Sequence, residues 1–134
     1  MANRIVRVVA AVIERDGKYL ITQRRDNAVL ARLWEFPGGR VEEGESDEDA
    51  LRREVLGRIG VEVKVAHALT ERQHSYERYD VHLTLFSCEL PPEAEPQPLL
   101  VRDVRWVASE EFSKYPFPPA DQATMDQLLA ERRD

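Results

Sequence analysis

Residues 34–61, WEFPGGRVEEGESDEDALRREVLGRIGV, constrain the fold more tightly than any other stretch of the chain. A strand-like end at residues 34–36 runs into Pro37-Gly38-Gly39, an acidic loop follows, and one helix closes the stretch. Ser46 has the chemistry of an N-cap, with Asp49 three residues on as a shortened capping-box partner. Asp47, Glu48 and Asp49 fill the first turn, where the helix dipole favours negative charge. Gly60 stands where a left-handed C-cap is needed before the next extended segment.

The flanking sequence supplies a sheet for this helix. Residues 4–14 are rich in Val and Ala, residues 18–23 read KYLITQ, and Asp16-Gly17 between them is a hairpin turn signal. Residues 24–33 are polar and predict a loop. Residues 61–70 and 79–90 predict two further strands, the second carrying Val81, Leu83 and Leu85 on one side, with 73–80 as their connection. PPEAEPQP at 91–98 is a loop, and 101–107 is another strand. Ser109-Glu110-Glu111 is a helix-start signal, residues 115–119 break the chain, and a last amphipathic helix is expected at 120–132 with Met125, Leu128 and Leu129 on its apolar side. The order predicts an α+β fold, a mixed sheet with helices on its faces. At 134 residues the chain is a single domain, 1–134.

Composition narrows the function classes. A formal charge of −6 argues against binding a nucleic acid polymer along its backbone. It leaves room for a nucleotide, because a divalent cation can stand between carboxylates and phosphates. The single cysteine, Cys88, lies in an apolar run, which predicts a core thiol and a reducing compartment. No stretch reads as a signal peptide or a membrane span, so the expectation is a soluble cytoplasmic protein.

The strand, glycine turn, acidic loop and helix together resemble the Nudix box of nucleoside-diphosphate-X hydrolases, written G-x5-E-x7-R-E-U-x-E-E-x-G-U with U a bulky aliphatic. On this chain the box spans 39–61 and gives Gly39, Glu45, Arg53, Glu54, Val55, Gly57, Arg58, Gly60 and Val61. The segments ITQRR, LWEFPGG and YPFPPAD are similar to the MutT-like branch, and in particular to its CTP pyrophosphohydrolase-like members. The resemblance covers nearly the whole chain. It implies a Nudix α/β/α sandwich around a mixed sheet, Mg²⁺ or Mn²⁺ as cofactor, a small nucleotide as partner, and hydrolysis of a nucleoside triphosphate to monophosphate and pyrophosphate. It also assigns catalytic roles to Glu54, Arg53 and Glu45, and a metal contact to the Gly38 carbonyl and Glu54.

The two consecutive glutamates of the signature are missing. Carboxylates at i, i+3 and i+4 share one helix face and can converge on divalent cations. After Glu54 those positions are Gly57 and Arg58. A guanidinium roughly 5 Å from a divalent ion repels it by about 6–7 kcal/mol at an effective dielectric of about 20. Glu54 and Arg58 instead stand in the order that favours an i, i+4 salt bridge. A further metal-ligand glutamate that MutT-like enzymes often carry, six residues before the late tryptophan, falls on Leu100, with Asp103, Glu95 or Glu93 as substitutes. Metal binding is therefore expected to be weak or absent. An active enzyme with a metal site rebuilt from Glu42 or Glu43 is the alternative.

The base-reading residues match the resemblance better. Arg24 corresponds to an arginine that contacts the nucleotide in MutT-like proteins. Asp121 stands where the 8-oxo-dGTP enzyme has an asparagine; ionised, it accepts hydrogen bonds and donates none, which favours a base with an exocyclic amine such as cytosine. Equally, Asp121 has the chemistry of an N-cap for the last helix. Trp34, Tyr76 and Phe117 are candidates either to stack a base or to pack the core. In the family the pair corresponding to Glu45 and Arg53 mostly braces the loop against the helix, and the resemblance implies chiefly that role here. His67, His74 and His82 have no metal-ligand spacing; the first and last are expected in strands and His74 in a loop.

Overall fold

A computed structural model describes residues 4–27 and 31–117. The expected terminal helix at 120–132, with Met125, Leu128 and Leu129, and the candidate residue Asp121 lie outside the described residues. The elements are β1 (Arg4–Arg15), β2 (Lys18–Gln23), β3 (Trp34–Glu35), β4 (Gly38–Arg40), α1 (Asp47–Ile59), β5 (Lys64–Ser75), β6 (Tyr79–Glu89) and β7 (Asp103–Val107), followed by a 3₁₀ turn at Ser109–Lys114. The seven described strands form one mixed sheet along the path β3-β2-β1-β6-β5, with β4 paired to β1 and β7 to β2. The α+β class and the mixed sheet are as the sequence predicts.

β1 organises the sheet. It runs parallel to β6 and antiparallel to β2 and β4. Asp16 and Gly17 join β1 to β2 with φ of 54° and 78°, the backbone of a type I′ turn. Val9, Ala11 and Ile13 share a core with Ala50, Leu51, Val55 and Ile59 of α1. Ala10 and Val12 belong to a second core with Ile21, Phe36, Leu83, Leu85 and Phe112. Alternate side chains of a strand point to opposite faces, and burial on both explains the unbroken apolar run of β1. Cys88 is buried in the first core, and desolvation pushes its thiol up to about 12.

Helix α1 is fixed at both ends by its own sequence. Ser46 Oγ accepts from the Asp49 N–H at 3.1 Å, and Arg7 of β1 pairs with Asp47 in the first turn. Gly60 adopts φ 72° and its N–H donates to the Leu56 carbonyl. The last carbonyls of a helix need outside partners. Here the Gln97 N–H donates to Ile59, and the Leu99 and Leu100 N–H groups donate to Arg58. The segment before β7 is thus tied to the end of α1.

Three local expectations change. Gly38–Arg40 is a strand rather than only a tight turn, because it pairs antiparallel with Val8–Ala10 of β1, an approach so close that only glycine fits at Gly38. An added Cβ at Gly38 would overlap the Val9 carbonyl oxygen and lie 2.7 Å from Ala10 Cα. β5 runs on to Ser75, so His74 is in a strand and the connection to β6 is shorter than 73–80. Its polar side chains are those of an edge strand held by backbone pairing. A helix does begin at Ser109 as expected, but it is a single short 3₁₀ stretch, Ser109–Lys114, with Ser109 fully buried inside it. No helix among the described residues is long and apolar enough to cross a membrane.

Candidate functional site

The turn from β3 through Pro37 to β4 and the middle of α1 bring the box residues together. Arg53 is the hub. Its Nε donates to Glu45 Oε2 at 2.8 Å and its Nη2 to Glu45 Oε1 at 2.9 Å. Nη2 also donates to the Arg40 carbonyl at 3.0 Å, and Nη1 to Glu54 Oε1 at 3.0 Å. Glu45 Oε1 further accepts from the Glu42 N–H. One guanidinium thereby clamps the acidic loop, the end of β4 and the helix.

The Arg53 guanidinium, helped by the Glu42 N–H, lowers the Glu45 carboxyl to about 2 from an ordinary 4.5. A carboxyl depressed in the folded state adds stability above its unfolded value and loses it as pH falls through the folded value. The brace is therefore expected to stay ionised and bonded below pH 4.5, while its contribution to stability declines from there and is lost toward pH 2. Carboxyl chemical shifts followed by NMR should show Glu45 protonating only near pH 2; an ordinary midpoint would mean the clamp does not form in solution.

Glu54 is largely enclosed, and both of its oxygens are engaged. Arg53 holds Oε1, while Arg58 Nε donates to Oε2 at 2.7 Å. Its side chain lies over Gly39, where any Cβ would run into the carboxylate. Arg58 also stands in the last turn of α1, a position where the helix dipole favours a cation.

Above this row lies a cleft of about 490 Å³ lined by Arg24, Arg25, Asn27, Arg53, Glu54, Gly57, Arg58 and Leu100. The loop after β2 forms its far wall. The Arg24 N–H donates to the Leu33 carbonyl and the Arg32 N–H to the Arg24 carbonyl. Arg32 also pairs with Asp26 at 2.8 Å, and Arg102 donates to Gln23 at 3.1 Å. Arg24 Nη1 donates to Glu35 Oε1 at 2.9 Å. Burial raises the Glu35 carboxyl, against the pull of the Arg24 and Arg58 charges.

The cleft therefore unites Arg24, Arg53, Glu54, Gly57, Arg58 and Leu100 from the sequence reading, with Glu45 bracing from behind. Leu100 reaches it because its N–H is bonded to the Arg58 carbonyl. Asp103, Glu93, Glu95, Glu42 and Glu43 do not line it. Asp103 instead pairs with Arg105. Trp34 and Phe117 are buried core residues, packed against Tyr115 and Phe36 respectively. Tyr76 sits between His74 and Tyr79 at the β5–β6 turn. Sequence reasoning missed Arg25, Asn27 and Glu35. For Glu35 the available signal was an acid between two aromatics; its register partner on β2 is Thr22, and the arginine it binds lies just beyond that strand.

The donor set does not fit a carboxylate-held Mg²⁺ or Mn²⁺. One carboxylate, already held by two guanidiniums, faces the cleft beside a glycine, an arginine and a leucine. Among the described residues no group of three or more His, Cys, Asp or Glu is placed to hold a metal ion. What the arrangement offers chemically is a set of guanidinium donors, the groups best shaped for phosphate oxygens.

Comparison with known proteins places the site in context. The NUDIX domain model matches residues 8–127. A CTP pyrophosphohydrolase of Escherichia coli (strain K12) is 36% identical, over 96% of this chain and 95% of that protein. An 8-oxo-dGTP diphosphatase of Haemophilus influenzae is 34% identical, over 98% of this chain and 96% of that protein. The solution structure of the E. coli ORF135 protein superposes with a TM-score of 0.80 at 35% identity, covering 97% of this chain and 92% of that one.

Proposed function

The chain belongs to the NUDIX domain family, in its MutT-like branch, and from that premise we propose that it binds nucleoside di- or triphosphates while its pyrophosphohydrolase activity is weak or lost. The observation that carries this reading is the state of Glu54: Arg53 and Arg58 hold its two oxygens, and Gly57 adds no carboxylate beside it. In the proposed complex the phosphates enter the cleft among the arginines and Arg24 contacts the nucleotide. Asp121 is proposed to read the base. A soluble, cytoplasmic setting is part of the same proposal, supported by a buried Cys88 without an intrachain partner.

The relatives' printed activities favour a second reading, an active pyrophosphohydrolase with a rebuilt metal site. Glu54 would then be general base or the helix ligand, positioned by Glu45 and Arg53. Glu42 or Glu43 would have to swing into a cleft that neither now lines.

Calorimetric titration with canonical and oxidised nucleoside di- and triphosphates tests the proposal. We expect saturable one-site binding of at least one of them, weakened by Arg24→Gln. No binding of any nucleotide, in the presence or absence of Mg²⁺, would overturn it.

A further inference from the structure

We infer that the cleft between the β2–β3 loop and α1 is a metal-independent polyphosphate site, in which Arg58 and Arg25 take direct contacts with phosphate oxygens. The inference rests on the proposed function's placing of phosphates in this cleft. It differs in saying that no divalent cation is needed there.

The charge distribution is the first argument. The whole chain carries −6, yet the cleft presents four arginines against the single carboxylate of Glu54. Fields focused in a cleft of one sign attract ligands of the other. The second argument is how the cations are held. Glu35 and Glu45 support Arg24 and Arg53 from behind without lining the cleft. Arg25 is exposed on the opposite wall and has no ion pair among the described residues. Arg58 is bonded through Nε at 2.7 Å, and no bond of its two terminal nitrogens is seen among the described residues. A guanidinium anchored at Nε is oriented, and its outer edge can donate to a phosphate.

The third argument is exclusion of the cation. A Mg²⁺-nucleotide complex brings a positive ion toward Arg58 and has less negative charge to offer. The metal-free polyphosphate is the better match, so added Mg²⁺ competes for the ligand rather than assisting its binding.

The test is calorimetry on the full chain with inorganic pyrophosphate, tripolyphosphate and CTP as probes, each in EDTA and in excess Mg²⁺. We expect binding in EDTA at least as tight as in Mg²⁺. Arg58→Gln and Arg25→Gln should each weaken metal-free binding by roughly tenfold or more, the worth of a charge-assisted hydrogen bond, and Arg58→Lys should restore part of it. Lys18→Gln, outside the cleft, is the control. Arg25 lies in an exposed loop, so its variant remains informative even if Arg58→Gln unfolds the helix end. Binding that appears only with Mg²⁺, or affinities unchanged in both glutamine variants, would overturn the inference and leave the nucleotide reading standing. Metal-free binding of pyrophosphate and tripolyphosphate without any nucleotide binding would support the inference and remove that reading.

Discussion

Restoring three carboxylates, with Gly57→Glu, Arg58→Glu and Leu100→Glu together, is expected to give a protein with metal-dependent release of pyrophosphate far above the wild-type level. The three positions border one cleft with Glu54. Gly57 has nothing within 4 Å of its missing Cβ, so a longer side chain is accommodated, and replacing a helical glycine removes a penalty of about 1 kcal/mol. Arg58→Glu frees Glu54 Oε2 and exchanges an attractive i, i+4 pair for a repulsive one, at a cost of about 0.5–1 kcal/mol. These stability changes nearly offset one another. Metal assistance supplies several kcal/mol to reactions of this class, so a rise of about 10²–10³ in turnover is the scale to look for. The assay is pyrophosphate release with Mg²⁺ and with EDTA, for wild type, the Gly57→Glu, Arg58→Glu double variant and the triple variant. A folded triple variant that binds Mg²⁺ without gaining turnover would mean that the missing glutamates are not what limits the chemistry.

The second large effect concerns folding. Gly38→Ala should destabilise the protein by about 3 kcal/mol or more, at the upper end of what overpacking costs. The added methyl meets backbone atoms of Val9 and Ala10, and those atoms cannot yield without parting β4 from β1. Gly39→Ala is the informative comparison. The three atoms nearest its methyl all belong to the Glu54 side chain, which can rotate away, so the expected result is a smaller loss of stability with the Glu54–Arg58 pair broken. Thermal or urea unfolding of the two variants measures this difference. Equal losses would mean that the β1–β4 approach is looser than described.

What was legible in the sequence follows the range of the interactions. The Asp16-Gly17 turn, the Ser46 cap and the Gly60 cap each depend on a few adjacent residues, and each is found where the pattern puts it. The Gly38–Arg40 strand was not legible as a strand, since two glycines and an arginine carry little strand preference. Its pairing comes from β1, some 30 residues away. The length of β5 was hidden for a related reason: its side chains are polar and only its ladder with β6 defines it.

The site divides along the same line. Glu45, Arg53, Glu54 and Arg58 lie on one loop and one helix: the Glu54–Arg58 pair followed from its i, i+4 spacing and the Glu45–Arg53 brace from the family resemblance, while the bond from Arg53 to Glu54 was not foreseen. Leu100 followed from counting back from Trp106, and its amide bond to the end of α1 explains why that register reaches the cleft. Arg25 was invisible as a partner of this site, because the fold of the loop after β2 decides what it faces.

We propose that this NUDIX chain keeps the fold and an anion-binding cleft while its box carboxylate is committed to arginines. The most direct measurement is pyrophosphate release from the nucleotide that binds most tightly, in Mg²⁺, for wild type and Glu54→Gln side by side. Turnover near background is expected for both, with no resolved difference between them. Robust wild-type turnover that Glu54→Gln abolishes would contradict the proposal.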